Sequence, residues 1–178
     1  MSTATDDRVR AYAESMLAIA KAEGTLDEVS DELFRFARAL ESSEELRAAL
    51  TDPHLPASRR QQIVEDLLGG KATPTTVALV SMAVGAGRAK DLPAIIDSLV
   101  QRSAEESHKA VAEVRSAVEL TEDQRARLAD AIQRATGKAV DVKVVIDPTV
   151  LGGIVTTVGD TVIDGSVRSR LEQLKHAF

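Results

Sequence analysis

The sequence predicts an α+β protein of two domains: a bundle of six helices over residues 1–105, followed by a small α/β domain over residues 106–178. Three observations predict this fold. Apolar residues recur at helical spacing throughout the first part, and period-two segments appear only after His108. Aromatic residues make up only 2% of the 178 residues, so the core must be aliphatic, which closely packed helices fill most easily.

The first two helices follow each other across a single glycine. The first is predicted from Asp6 to Glu23 and ends at Gly24. Thr25 then begins the second, with Glu28 at the spacing of a capping box. The apolar stripe of the first helix comprises Val9, Tyr12, Ala13, Met16, Leu17, Ile19 and Ala20, and that of the second comprises Leu26, Val29, Leu33, Phe36 and Leu40.

Caps, prolines and glycines mark the ends of the other four helices of the bundle. Ser43 begins the third, Pro56 stands in the first turn of the fourth, and Thr73 with Pro74 begins the fifth. The predicted spans are 43–50, 56–68, 73–85 and 91–106.

The second domain is predicted to run strand, helix, three strands, helix, which gives a sheet covered by two helices. The strands are expected at 112–120, 140–146, 151–158 and 161–163, with a hairpin turn at Gly159-Asp160. Thr121 and Gln124 form a capping box before the first helix, whose apolar stripe is Leu128, Ala131, Ile132 and Ala135. The second helix is expected to begin at Asp164-Gly165-Ser166, with Val167, Leu171, Leu174 and Phe178 on one face.

Composition excludes several classes of function. The chain has no cysteine and a net charge of −6, which argues against thiolate chemistry and against a nucleic-acid surface. No apolar run approaches the roughly 20 residues that span a bilayer, and the polar N-terminus is unlike a secretory signal. We expect a soluble protein that starts in the cytoplasm, without direct membrane insertion and without a cofactor.

Residues with catalytic potential are few. None of the three histidines has metal-ligand spacing, and Gly70-Lys71 lacks the glycine and hydroxyl positions of a phosphate loop. Asp160 and Asp164 could form a catalytic carboxylate pair, but turn and helix-cap positions explain them better.

The fifth helix is unusual because residues 72–87 contain no charged side chain. A helix on the outside of a bundle normally keeps a polar face. Two interpretations remain open from periodicity: the helix is central in the bundle, or one of its sides lines a groove that a partner helix fills.

The C-terminal residues carry a resemblance to a known family. Leu151-Gly152-Gly153-Ile154, Val158-Gly159-Asp160 and the run 162–171 resemble the C-terminal signature of the delta subunit of bacterial F-type ATP synthases, which is related to the mitochondrial oligomycin-sensitivity-conferring protein. Tyr12-Ala13 and Gly87-Arg88 agree with the same family.

The resemblance implies a non-catalytic stator subunit on the cytoplasmic face of the cell membrane. It implies that the N-terminal bundle holds the N-terminal helix of an alpha subunit of the alpha/beta hexamer, and that the second domain meets the b subunits. Carried over by position, the groove residues are Tyr12, Ala13 and Met16 on the first helix, and Leu79, Met82, Ala83 and Ala86 on the fifth. Some members are fused to a b-type segment, and we expect none here. The alternative functions are another helix-binding adaptor and a small enzyme using Asp160 or Asp164.

Overall fold

A computed structural model describes residues 2–165, with side chains from residue 5 onward. Within that range the protein is an α+β fold with seven α-helices and one four-stranded sheet. The chain divides into two compact units, Met1–Val100 and Gln101–Phe178. In chain order the elements are α1 (Ser2–Ala22), α2 (Leu26–Ser42), α3 (Glu44–Thr51), α4 (Ala57–Leu68), α5 (Pro74–Gly85), α6 (Leu92–Glu106), β1 (Ala110–Ser116), α7 (Glu122–Thr136), β2 (Val140–Ile146), β3 (Ile154–Val158) and β4 (Thr161–Asp164).

Six of these helices precede the first strand, in the predicted order. A short 3-10 turn, Ala89–Asp91, introduces α6. The first unit buries an aliphatic core with two phenylalanines. Its largest fully buried side chains are Met16, Val29, Leu33, Leu40, Leu50, Val64, Val80, Val84, Leu92, Ile95, Ile96 and Leu99.

The junction between α1 and α2 differs from the prediction. Gly24 adopts a left-handed conformation, with φ of +70°, and the Thr25 amide donates to the Ala20 carbonyl at 3.1 Å. This turn ends α1, but it leaves Thr25 with ψ of 23° and no side-chain capping hydrogen bond. The predicted capping box with Glu28 is therefore wrong, because a capping residue needs extended backbone to aim its hydroxyl at the helix amides.

The start of α5 is fixed more firmly than its sequence indicates. The Thr73 side chain accepts from the Thr76 amide at 3.3 Å, and Pro74 follows in the first turn, as predicted. In addition, the Glu32 carboxylate on α2 accepts from the Thr73 amide at 2.9 Å and from its hydroxyl at 2.9 Å. A carboxylate at a helix N-terminus is favourable because it meets unpaired amides and the positive end of the helix dipole.

The end of α5 is shaped by its neighbour α4. A Cβ added at Gly85 would lie 2.5 Å from the Gln61 side-chain nitrogen, and that nitrogen donates to the Ser81 carbonyl at 3.2 Å. Gly85 is therefore the residue that lets the Gln61 side chain lie against the last turn of α5.

The second unit is built on a sheet with strand order β2-β1-β3-β4. β1 and β2 are parallel and joined by α7, whereas β1 with β3 and β3 with β4 are antiparallel. The sheet packs its apolar face against Ile132 of α7. The members of this core are Ala112, Val114, Ile132, Val140, Val142, Val144 and Val158, with Leu120 and Leu128 at its edge.

Two details of the predicted second domain change. β1 ends at Ser116, so Val118 lies beyond the strand and is exposed. Ala131 and Ala135 are also exposed, and Ile132 carries the buried face of α7. The predicted C-terminal helix, over 166–178, lies outside the described residues.

Candidate functional site

An open groove of about 350 Å³ lies between α1 and α5. It falls within the first unit, and its two walls come from different parts of the helices. α1 contributes its last turn, and α5 contributes its first two and a half turns. The lining residues are Ile19 and Glu23 from α1 and its end, and Pro74, Thr75, Ala78, Leu79 and Met82 from α5.

The surface of the groove is apolar and open. Ile19 is 40% exposed and Met82 is 42% exposed, while Ala78 between them is also exposed. Leu79 is only 2% exposed, so it forms part of the floor. Large apolar side chains exposed on both walls of one cleft are typical of a surface that another molecule covers.

The length of the groove suits a helix. Pro74 and Met82 are eight residues apart on α5, which corresponds to about 12 Å at the 1.5 Å rise per residue of an α-helix. A partner helix of about two turns would therefore cover the lined stretch, and it would meet Ile19 from one side and Met82 from the other.

The predicted groove residues divide between the core and the surface. Ala13, Met16 and Ala83 are fully buried, so they form the packing beneath the groove and offer no surface to a partner. Tyr12 is half-buried and Ala86 is exposed, yet neither lines this groove. Leu79 and Met82 line it.

Five lining residues were not among the predicted site residues: Ile19, Glu23, Pro74, Thr75 and Ala78. Ile19 belongs to the apolar stripe of the first helix, so the pattern predicts that it is buried. The fifth helix is apolar on every side, so its sequence pattern does not fix its rotation about its own axis. The available signal was the spacing of Ala78 and Met82, which lie one turn apart on one face.

Only the α1 wall of the groove carries a charged side chain. No residue from 72 to 87 is charged, so the α5 wall is neutral. Glu23 is the single ionisable residue among the lining residues. A partner helix must therefore present an apolar face to most of the groove.

The structure offers no catalytic constellation at Asp160 and Asp164. Asp160 lies in the turn and Asp164 closes β4, paired with Val155 of β3. Asp164 follows Asp160 by four positions, about 13 Å at the rise of an extended chain, which is too far for two carboxylates to act on one bond. Among residues 2–165, no group of three or more histidine and acidic side chains could hold a metal ion.

Asp147, just after β2, has a lowered pKa, chiefly because its carboxylate accepts hydrogen bonds from the Thr149 hydroxyl and amide, with Arg115 contributing further. The Thr149 amide lies 2.9 Å from Oδ1 of Asp147. This arrangement is a local turn, since Asp147 accepts from its own chain two residues on. It stabilises the loop between β2 and β3.

Comparison with known proteins gives the family. The model of the "ATP synthase delta (OSCP) subunit" family matches residues 9–178. The chain belongs to this family. The resemblance carried by residues 151–171 is thereby confirmed.

Bacterial members of the family are similar over most of this chain. The ATP synthase subunit delta of Nocardia farcinica is 42% identical over 162 residues, 91% of this chain and 60% of that protein. That of Streptomyces avermitilis is 43% identical over 159 residues, 89% and 58%, and that of Beutenbergia cavernae is 39% identical over 177 residues, 97% and 65%. The chain thus spans about 60% of the length of its first bacterial relatives.

A solved structure agrees with the fold. A chain of the Toxoplasma gondii mitochondrial ATP synthase hexamer matches with a TM-score of 0.55 and 20% identity, covering 95% of this chain and 96% of that chain. At this identity the match supports the fold alone. In the part of the chain that the structure describes, no helix is both long enough and apolar enough to cross a membrane.

Proposed function

We propose that the chain is a non-catalytic peripheral-stalk subunit of a proton-translocating F-type ATP synthase. It links the alpha/beta catalytic hexamer to the membrane-anchored b subunits, so that rotation of the rotor drives ATP synthesis. Its place is the cytoplasmic face of the cell membrane, as a peripheral part of the complex. Membership of the delta (OSCP) family and 42% identity to a bacterial subunit delta support this role.

The open apolar groove between α1 and α5 is the observation in the fold that carries the proposal. A rotary enzyme makes ATP only if its hexamer does not turn with its rotor, so the static connection must dissociate slowly under torque. Slow dissociation comes from apolar anchors packed in a groove rather than from exposed ion pairs. Ile19 and Met82, both about 40% exposed, supply such anchors.

The occupant that we propose is the amphipathic N-terminal helix of an alpha subunit. Its apolar face would cover Ile19, Ala78 and Met82, where the neutral α5 wall offers no competing charge. Fully burying one side chain of this size is worth about 1.5–3 kcal/mol, so Ile19 and Met82 supply only part of the roughly −12 kcal/mol of nanomolar affinity, and the rest of the contact must supply the remainder and the cost of ordering the peptide.

The remaining assignments follow the two units of the chain. The six helices before β1 act as one bundle, over residues 1–105, and hold the hexamer. Residues 106–178 contact the b subunits. Each unit has its own packed core. A subunit that links two parts of a complex requires a stable unit at each contact.

The groove is tested by titrating the isotope-labelled full chain with a peptide of the alpha-subunit N-terminus from the same genome. We expect the methyl resonances of Ile19, Ala78 and Met82 to shift and those of the α7 face to stay in place. Saturation without any change in these three residues would contradict the groove. Binding of unrelated amphipathic peptides with equal affinity would favour a general helix-binding adaptor instead.

A further inference from the structure

The groove carries its charge at one end. Glu23 is exposed and lies just beyond the last residue of α1, one turn after Ile19. Within the described residues its carboxylate makes no hydrogen bond and no ion pair. Since the α5 wall is neutral, Glu23 is the one formal charge that a helix lying in the groove would meet among the lining residues.

The surroundings of that end are acidic as well. Residues 22–32 contain five acidic side chains and no basic one. Glu32 places its carboxylate on Thr73, directly before the lining residue Pro74, and Asp27 and Glu28 line a neighbouring surface cavity with Lys21. The sequence around Glu23 is therefore mostly acidic, with Lys21 as the basic residue nearest to it in the chain, whereas residues 72–87, which include the whole α5 wall, carry no charge.

The single charge of Glu23 restricts which side chain of a guest helix can lie over it. An apolar side chain placed over Glu23 would remove water from an unpaired carboxylate, which is unfavourable. A lysine or arginine in that place keeps the carboxylate paired. Ile19 and Glu23 share one side of α1, because residues four apart on a helix are neighbours. The matching guest therefore carries a basic residue about one turn beyond its apolar anchor.

We infer that Glu23 is a specificity-determining residue, which selects a guest helix with a lysine or arginine over the Glu23 carboxylate and so fixes the direction and register of that helix in the groove. This inference rests on the proposed function, since it concerns the same groove and the same kind of guest.

The experiment measures the affinity of the full chain for the alpha-subunit N-terminal peptide at 50 mM and 300 mM salt. For Glu23→Gln we expect a two- to fivefold loss at low salt, typical of an exposed ion pair, and a weaker dependence on salt. For Glu23→Lys we expect about a tenfold loss at low salt, because two cations then face each other. The matched control is Glu14→Lys, on the same helix but outside the groove, which should stay within twofold of the parent.

Restoring the binding of Glu23→Lys with a charge reversal in the peptide identifies the guest residue that pairs with Glu23. Each basic residue of the peptide is replaced by glutamate in turn, and one replacement should restore binding to Glu23→Lys while weakening binding to the parent. Equal affinities and equal salt dependences for Glu23→Lys and Glu14→Lys would overturn the inference and leave the groove itself standing. Failure of the parent chain to bind the peptide at any salt concentration would instead overturn the proposed function, and with it this inference.

Discussion

The helices α5 and α7 lie in different units and differ in charge and in the burial of their apolar side chains. Both begin with a threonine whose side chain caps the helix, Thr73 and Thr121. α7 carries charged side chains over its exposed faces and buries Ile132 as its one fully packed apolar residue. α5 carries no charge, buries six of its twelve residues and still exposes Met82.

This difference separates a helix whose packing is complete from one whose packing is not. The exposed faces of α7 are solvated, so nothing needs to cover them. α5 presents apolar surface on the side that faces the groove, next to the exposed Ile19 of α1. An apolar side that remains after a core is full is typical of a surface used in assembly, and the proposed function assigns that surface to α5.

The strongest test of this comparison puts the same charge on both helices. Ala83→Asp places a carboxylate at a fully buried position of α5 and should lower the free energy of unfolding of the first unit by more than about 3 kcal/mol, because the charge has no partner. Urea unfolding followed by circular dichroism measures it. The control, Ala131→Asp on the exposed face of α7, should cost less than about 1 kcal/mol. Equal costs would show that the buried side of α5 is not core.

One residue earlier on α5, the same substitution should affect binding rather than stability. Met82→Asp should leave the unfolding curve within about 0.5 kcal/mol of the parent, but should weaken binding to the membrane-stripped hexamer ten- to hundredfold, since it removes an anchor worth about 1.5–3 kcal/mol.

The control for Met82→Asp is Leu67→Asp on α4, which is 38% exposed and lies outside the groove. It should bind as the parent does, in a co-sedimentation assay with the hexamer. Equal loss in both variants would mean that the hexamer contacts a different face of the unit.

The two capping threonines should also differ. Thr121→Ala should cost about 1 kcal/mol, the usual value for a lost cap. Thr73→Ala should cost more, about 2 kcal/mol, because it also removes a hydrogen bond to the Glu32 carboxylate, and bonds to charged groups are worth about 1.5–3 kcal/mol. Amide hydrogen exchange, resolved for the first turn of each helix, measures both. Equal effects would show that the bond from the Thr73 hydroxyl to Glu32 adds nothing to the start of α5.

The smallest expected effect concerns pH. Asp147 has a folded pKa below the ordinary pKa of an aspartate, so its contribution to stability is present above that ordinary value and is lost as the pH falls through the folded pKa. Asp147→Asn should lower the unfolding midpoint at pH 7 slightly, and its difference from the parent should close in acid. Thr149→Val removes the main hydroxyl donor and should reproduce part of the effect. A difference that persists in acid would assign the effect to turn geometry rather than to charge.

Local signals predicted most of the fold. Helix order, the α5 cap, the hairpin at Gly159-Asp160 and the α7 capping box all followed from short patterns, because caps and turns depend on neighbours in the chain. The predicted cap at Thr25 was wrong because the turn that ends α1, in which the Thr25 amide donates to the Ala20 carbonyl, sets the backbone of Thr25. The family resemblance predicts a groove between the first and fifth helices. Of the residues that line the groove in the structure only Leu79 and Met82 are among those predicted, because the rotation of an all-apolar helix is fixed by packing.

The anchoring of α5 by Glu32 has a mechanical consequence. In the proposed function a guest lies against the first turns of α5, where Thr73 is bonded to α2 through its amide and its hydroxyl. α2 is in turn joined to α6 by Arg38, whose guanidinium lies 2.7 Å from the Asp97 carboxylate. A displacement of the start of α5 would therefore also act on α2 and, through Arg38, on α6.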